Sequence, residues 1–163
     1  MLLSEQAYTK IDKELAKYPA DQRSSAIMSS LRIAQEENGW LSSDLVAEVA
    51  RYIGVEPIAV QEVATFYNMF EMKPVGKFKV TVCTNLPCAL RDGVKTAEYI
   101  KEKLGIGFNE TTPDGAITLK EGECMGACGD SPVLLVNNHH MCVRMSQEKI
   151  DEMLADLIKE AQA

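Results

Sequence analysis

Four of the five cysteines form two close pairs, and this arrangement limits the possible folds more than any other feature of the sequence. Cys83 and Cys88 are separated by four residues, Cys124 and Cys128 by three, and 35 residues lie between the pairs. The first pair begins at the end of a segment typical of a β-strand, and the second lies in a glycine-containing loop before another such segment. The chain is therefore expected to bring two neighbouring loops together at one site.

Four thiolates are the ligand set of iron–sulfur clusters, because soft sulfur ligands spread charge over the iron and carry no proton when bound. Zinc also accepts four cysteines, but zinc ribbons and fingers mostly use pairs separated by two residues, and this sequence contains none. The spacing favours a cluster. It leaves open a structural zinc assembly module with four cysteine ligands, two separate sites of two cysteines each, or buried thiols. A thioredoxin-type dithiol oxidoreductase is the weakest alternative, because such enzymes use two cysteines separated by two residues and neither pair here has that spacing.

Composition and charge narrow the classes of partner. The 163 residues include 24 acidic and 17 basic ones, a formal net charge of -7, so nucleic acid and anionic lipid are unfavourable partners. No apolar run approaches the ~20 residues of a membrane-spanning helix. The N-terminus lacks the features of a signal or transit peptide. These observations predict a soluble, cytoplasmic protein without direct membrane insertion, in which structural disulfides are unexpected.

Residues 1–73 contain no cysteine and carry helical periodicity. Four amphipathic segments are predicted, with an N-cap at Ser4, a helix end at Asn38–Gly39 and a further helix start at Pro57. These signals predict an N-terminal helical bundle over residues 1–73.

The pattern changes after residue 73, where alternation of polar and apolar residues replaces the helical period. The predicted elements are a strand, a helix, three strands and a helix, over residues 77–83, 92–104, 117–119, 133–136, 140–145 and from 146. A right-handed crossover makes the first two strands parallel, and the hairpin after residue 133 extends them into a small mixed sheet. This order suits a thioredoxin-like α/β domain over residues 74–163. Neither a G-x-G-x-x-G motif nor a P-loop is present, so no nucleotide site is expected.

Several motifs together resemble one known family. They are Cys83-x4-Cys88, Cys124-x3-Cys128, the loop GECMGACGDSPV at residues 122–133 and the segment VATFY at residues 63–67. In combination they resemble the E subunit of the respiratory NADH:quinone oxidoreductase (complex I), a thioredoxin-like [2Fe-2S] ferredoxin family. The resemblance implies one [2Fe-2S] cluster per chain, held by these four cysteines, and no catalytic residue.

The resemblance also implies a set of partners. Members of the family lie beside a larger flavoprotein subunit that carries FMN, the NADH site and a [4Fe-4S] cluster, with further subunits of the peripheral arm. The chain is then an electron-transfer subunit that exchanges single electrons with FMN and has no substrate site of its own. Its expected location is cytoplasmic, peripheral to the inner membrane. Similar subunits occur in NAD-dependent formate dehydrogenases and NAD-reducing hydrogenases, and these parent complexes remain alternatives.

The residues around the second cysteine pair indicate what sets the reduction potential of the predicted cluster. Three glycines are expected to let the main chain approach the cofactor and direct N–H groups at sulfur: Gly122, Gly126 and Gly129. Three carboxylates are expected to add negative charge: Glu121, Glu123 and Asp130. Because a [2Fe-2S] core with four thiolates is already anionic, nearby carboxylates predict a low reduction potential.

The remaining conspicuous residues have simpler interpretations. Cys142 lies outside the ligand pattern and is expected to be a small buried hydrophobe. His139 and His140 are expected in an exposed turn. Trp40 and Phe66 are predicted to be core residues.

One helical stripe has two interpretations. Tyr8, Ile11 and Leu15 lie on one face of the first predicted helix. They are expected either to form a docking surface for a partner or to pack on the ferredoxin domain.

Overall fold

The computed structural model describes residues 2–163. Two compact units make up the chain, the first ending at Pro74 and the second beginning at Val75. Each unit has its own hydrophobic core. In this part of the chain no helix combines the length and the apolar character needed to cross a bilayer.

The first unit is helical, as predicted. Its α-helices are α1 (Glu5–Leu15), α2 (Ile27–Asn38), α3 (Ser43–Ile53) and α4 (Pro57–Phe66), with a short 3-10 turn at Arg23–Ala26. The hydroxyl of Ser4 accepts a hydrogen bond from the backbone N–H of Ala7 at 3.2 Å, which satisfies one free amide of the first turn of α1. Pro57 is the first residue of α4, where its missing N–H costs nothing. The predicted helix starts at these two positions are confirmed.

The apolar faces of the four helices meet in the core of this unit. Tyr8 and Ile11 of α1 are buried there, and Leu15 packs against the same core. The stripe on α1 is therefore buried within the helical unit itself, so the prediction that it forms a docking surface is wrong. The physical reason is that four short amphipathic helices supply enough apolar surface to cover one another.

Two aromatic residues differ from the prediction of a core position. Phe66, the last residue of α4, is 80% exposed, and Trp40 is half-buried. Val60 and Ala64 are the buried residues of α4. At about 100° per residue, position 66 lies about 200° around the helix from position 64, on the side away from the core.

The second unit contains a five-stranded mixed sheet with the order β2-β3-β1-β4-β5. Its strands are β1 (Phe78–Cys83), β2 (Glu110–Thr111), β3 (Ile117–Gly122), β4 (Val133–Val136) and β5 (His140–Val143). Its helices are α5 (Leu86–Ala89), α6 (Gly93–Leu104) and α7 (Gln147–Ala161), with a 3-10 turn at Cys128–Asp130. The parallel pair of β1 and β3 and the hairpin of β4 and β5 confirm the predicted sheet. The short β2 and α5 were not predicted, because two to four residues carry too little periodicity.

One face of this sheet forms the core of the second unit. Val80 and Val82 of β1 and Leu119 of β3 are fully buried, together with Ile100 of α6 and Ile150 of α7, which is 1% exposed. Alternate residues of a strand point to the same face, so the apolar positions of β1 and β3 lie side by side. The helices thus hold the strands rigidly, and the ends of β1 and β3 become fixed positions for the cysteine loops.

Candidate metal centre

The register of β1 and β3 brings the two cysteine pairs to the same edge of the sheet. Cys83 ends β1 and lies opposite Gly122, which ends β3. Cys88 follows on α5, and Cys124 is two residues beyond Gly122. The carboxyl ends of parallel strands open onto a common crevice, which is where α/β proteins bind ligands. The predicted convergence of the two loops is therefore present in the fold.

The thiols within this edge interact with one another. Burial raises the pKa of the Cys83 thiol, and a hydrogen bond with Cys88 and the charge of Cys88 raise that pKa further. The pKa of the Cys128 thiol is raised by desolvation, then by a hydrogen bond with Cys124 and by the charges of Cys124 and Cys88. The second pair is thus coupled to the first through Cys88. All four sulfurs belong to one electrostatic group.

Backbone amides oppose this rise in pKa. The N–H groups of Asn85 and Met125 hydrogen-bond to the Cys83 sulfur and lower the pKa of its thiol, because they favour the thiolate. The N–H of Gly126 donates to the Cys124 Sγ at 3.4 Å. Gly126 has a φ of 73°, a left-handed conformation that a side chain would strain. The predicted role of Gly126, an amide directed at sulfur, is confirmed.

Close packing at a second glycine fixes the distance between the strand end and α5. A Cβ atom on Gly93, the first residue of α6, would lie 2.8 Å from the backbone oxygens of both Cys83 and Cys88. Only glycine leaves the two cysteines their observed positions. Gly93 was not predicted as a residue of the site, because its only signal in the sequence is its position at the start of a helix, five residues after Cys88.

The other two glycines near the site differ from each other. A Cβ on Gly122 would approach the Thr81 methyl group to 2.6 Å and the Met125 methyl group to 2.8 Å, so neighbouring side chains leave room only for glycine there, while the predicted approach to a cofactor stays a prediction. A Cβ on Gly129 would meet no atom within 4 Å. No protein atom crowds Gly129, and its predicted approach to a cofactor stays a prediction.

The site is shielded on one side only. Cys83 and Cys88 are 1% exposed and pack with Val133 in a small apolar cluster. Cys124 is exposed, and Cys128 is half-buried. The first pair therefore lies in a drier environment than the second.

The predicted acidic residues lie on the loops of the site and have partners. Asp130 forms an ion pair with Arg144, whose Nη2 lies 2.7 Å from its Oδ1. Glu121 and Glu123 accept hydrogen bonds from Thr84 and Asn85 in the first cysteine loop. The charge of these carboxylates is thus partly compensated.

Cys142 and the two histidines lie outside this group. Cys142 pairs with Leu134 in the hairpin, is half-buried against the main core, and has a thiol pKa raised by burial. His139 and His140 are exposed at the hairpin turn, as predicted. Among residues 2–163, no three histidine, cysteine or acidic side chains are arranged as the ligands of a single metal ion, so the four thiols share one edge of the sheet without forming a closed coordination shell.

Comparison with known proteins identifies the family. Residues 11–158 match the family described as thioredoxin-like [2Fe-2S] ferredoxin. The chain belongs to this family. The ferredoxin fold predicted for the second half of the sequence is thereby confirmed, together with the resemblance from which it came.

Individual relatives of this chain are subunits of NADH-quinone oxidoreductases. It is 37% identical over 147 residues to NADH-quinone oxidoreductase subunit 2 of Thermus thermophilus, covering 90% of this chain and 81% of the relative. It is 43% identical over 131 residues to the NADH-quinone oxidoreductase E 2 subunit of Rhizobium meliloti, covering 80% and 77%. Its fold matches a chain of an NAD+-reducing [NiFe]-hydrogenase with a TM-score of 0.68 over 80% of this chain. That match has 16% identity and spans 23% of the hydrogenase chain, so it reports on the fold alone.

The donor atoms at the sheet edge suit the cofactor in the family's description. A [2Fe-2S] cluster requires four thiolate ligands, and four thiols lie on the two loops of this edge. Amides directed at Cys83 and Cys124 would stabilise negative charge on sulfur. Cys83, Cys88, Cys124 and Cys128 are therefore the residues that could hold such a cluster.

Proposed function

We propose that this ferredoxin holds one [2Fe-2S] cluster on Cys83, Cys88, Cys124 and Cys128 and serves as an electron-transfer subunit of an NADH:quinone oxidoreductase. The observation that carries the proposal is the parallel register of β1 and β3, which brings two cysteine pairs to one edge of a ferredoxin fold. When bound, the cluster accepts and donates single electrons. The oxidoreductase activity belongs to the whole complex, and this chain contributes no catalytic residue.

The residues around the thiols have distinct roles in this proposal. The apolar contacts of Cys83 and Cys88 with Val133 exclude water from one side of the site. Amides directed at Cys83 and Cys124 stabilise sulfur charge and so make reduction easier. The carboxylates of Glu121 and Glu123 act in the opposite direction, because an added electron is repelled by their charge. The balance of these contributions sets a low potential.

An exposed apolar surface beside the site supports docking of a partner. Leu86 is 70% exposed, Leu90 is 79% exposed and Val94 is 46% exposed, and they lie on the short helix with Cys88 and just after it. Grouped exposed apolar residues are typical of an interface. We propose that the partner is a larger flavoprotein subunit carrying FMN, the NADH site and a [4Fe-4S] cluster, with FMN as the electron donor.

The remaining parts of the proposal concern the whole chain. The division after Pro74 supports separate domains over residues 1–73 and 74–163. The relatives in respiratory complexes support further contacts with peripheral-arm subunits and a location peripheral to the inner membrane.

The first experiment is a visible absorption spectrum of the anaerobically purified chain before and after dithionite, with iron, zinc and acid-labile sulfide measured on the same sample. Two irons and two sulfides per chain, with bleaching on reduction, are expected. One zinc without sulfide or colour after anaerobic reconstitution would contradict electron transfer and indicate a structural zinc module with four cysteine ligands.

Substitution of single cysteines tests the ligand set. Cys124→Ser is expected to lose or alter the visible spectrum, because it removes one sulfur ligand. Cys142→Ser is the matched control and is expected to leave the spectrum unchanged, since Cys142 packs against the main core. Bleaching of the Cys142 variant would overturn the assignment.

A further inference from the structure

Two hydrogen bonds cross between the cysteine loops. The Thr84 hydroxyl donates to Oε1 of Glu121 at 2.7 Å, and the Asn85 side-chain N–H donates to Oε2 of Glu123 at 3.2 Å. Both donors directly follow Cys83, and both acceptors lie on the segment that leads to Cys124, Glu121 at the end of β3 and Glu123 in the loop after it. We call these two bonds the interloop clamp.

We propose that Thr84 and Asn85 are positioning residues for the cluster, acting through the interloop clamp. This inference rests on the proposed function and adds a role for residues that are not ligands. Each bond of the clamp joins the loop after Cys83 to the segment that leads to Cys124, through the end of β3 for Thr84 and through the following loop for Asn85, so it holds the two cysteine pairs at a fixed spacing. The same bond also directs a positive donor hydrogen at a carboxylate, which reduces the negative potential that this carboxylate exerts on the site.

The two effects of the clamp can be separated because they change different observables. Loss of the Thr84 hydroxyl weakens the connection between the loops and leaves the Glu121 charge less compensated. The cluster is then released faster and has a lower midpoint potential. Replacement of Glu121 by glutamine removes the negative charge and keeps an oxygen that accepts from Thr84. The midpoint potential then rises, and release changes less.

The test compares Thr84→Val, Thr84→Ser and Glu121→Gln in the full chain carrying its cluster. The two measurements are the rate of cluster loss to an iron chelator and the midpoint potential by redox titration. Thr84→Val is expected to lose the cluster roughly threefold to tenfold faster, the change that the net contribution of one typical hydrogen bond produces. Its potential is expected to fall. Thr84→Ser keeps the donor and is expected to behave as the parent chain does, and Glu121→Gln is expected to raise the potential.

Asn85→Asp tests the second bond of the clamp independently of the first. It replaces the donor by a carboxylate of the same shape opposite Glu123, so attraction between the loops becomes repulsion. This variant is expected to lose its cluster faster than Thr84→Val. Thr65→Val is the control, because the Thr65 hydroxyl donates to the Gln61 carbonyl oxygen within α4, at 2.9 Å.

The outcomes separate failure of this inference from failure of the proposed function. If the parent chain binds no iron and no sulfide after reconstitution, the proposed function fails and the clamp has no cofactor to position. If the parent chain binds a cluster and Thr84→Val matches it in release rate or in potential, only the clamp is overturned. Equal shifts in Thr84→Val and Thr84→Ser would also overturn it, because the hydroxyl would then be irrelevant.

Discussion

One residue, Gly93, determines how closely the end of β1 can approach α5. The backbone oxygens of Cys83 and Cys88 converge on the position where a side chain at residue 93 would begin. Backbone atoms cannot move aside as the end of a flexible side chain can, so even a methyl group must displace one of the two cysteines. The positions of Cys83 and Cys88 therefore depend on a residue that has no functional group.

Gly93→Ala is expected to reduce the free energy of unfolding by about 1–3 kcal/mol, the usual cost of adding a methyl group to a closely packed position. The visible absorbance per chain is expected to fall as well, because Cys83 and Cys88 are displaced. Denaturant unfolding and absorption spectra of the full chain measure the two effects. Gly129→Ala is the matched control, since a Cβ there meets no atom within 4 Å. Equal losses in both variants would show that the close approach at residue 93 is irrelevant.

Among the secondary-structure elements, α1 and α3 are joined by a buried polar contact. The hydroxyl of Tyr8 on α1 donates to the Glu48 carboxylate on α3, which also accepts from the N–H of Leu2 at 2.8 Å. Tyr8 also packs against Tyr52, with ring centroids 4.4 Å apart. The hydrogen bond from Tyr8 lowers the pKa of Glu48, while burial and then this bond raise the pKa of Tyr8 to about 12.

These pKa shifts give Tyr8→Phe a pH-dependent effect on stability. The hydrogen bond to an ionised, buried acceptor contributes about 1.5–3 kcal/mol to the free energy of unfolding. Because the pKa of Glu48 is lowered on folding, this contribution is present above the unfolded value near 4.5 and is lost as the pH falls through the folded pKa. Because the pKa of Tyr8 is raised on folding, the contribution is full below pH 10 and is lost as the pH rises through about 12.

Denaturant unfolding of the parent chain and Tyr8→Phe between pH 3 and 12 checks this expectation. The difference in free energy is expected to be largest near neutral pH and to shrink at both ends. Tyr18→Phe is the control at an exposed tyrosine and is expected to match the parent chain. A difference for Tyr8→Phe that does not vary with pH would contradict the role of the Glu48 charge.

At the scale of the whole molecule, the two units have separate cores and the candidate cluster site belongs to the second unit. Ile11, Leu31 and Val49 are buried in the core of the first unit, whereas Val82 and Leu119 lie in that of the second. All four cysteines lie in the second unit, at the end of β1, on α5 and in the segment between β3 and β4. A ligand that binds only the folded site stabilises the part of the chain that forms the site.

Removal of the cluster is therefore expected to have a local effect. Hydrogen exchange of the full chain, measured with and without the cluster, is expected to rise at residues 83–93 and 121–131 after chelation. The amides of α2 and α3 are expected to keep their protection, because their core contains no residue of the site. A uniform rise in exchange across both units would contradict this expectation.

Features that depend on residues close together in the sequence were predictable. The helix starts at Ser4 and Pro57, the alternation of β1 and the hairpin of β4 and β5 follow from local periodicity and capping. The cysteine spacing also indicated a sulfur-ligated site and the family. Each of these signals needs only a few neighbouring residues, because backbone preference and side-chain period act over one or two turns or along one strand.

The contacts that shape the candidate site were decided by the tertiary structure. Three such contacts are the pairing of Cys83 with Gly122, the approach of Gly93 to two carbonyl oxygens and the Thr84–Glu121 bond. Patterns of neighbouring residues do not predict them, because each depends on how the chain packs in three dimensions. The exposure of Phe66 likewise depends on where the other helices lie around α4. The sequence by itself determined the longer elements and the set of four thiols. Only folding determined which backbone and side-chain atoms surround that chemistry, because Thr84 and Glu121 are separated by 37 positions and meet only after β1 and β3 pair.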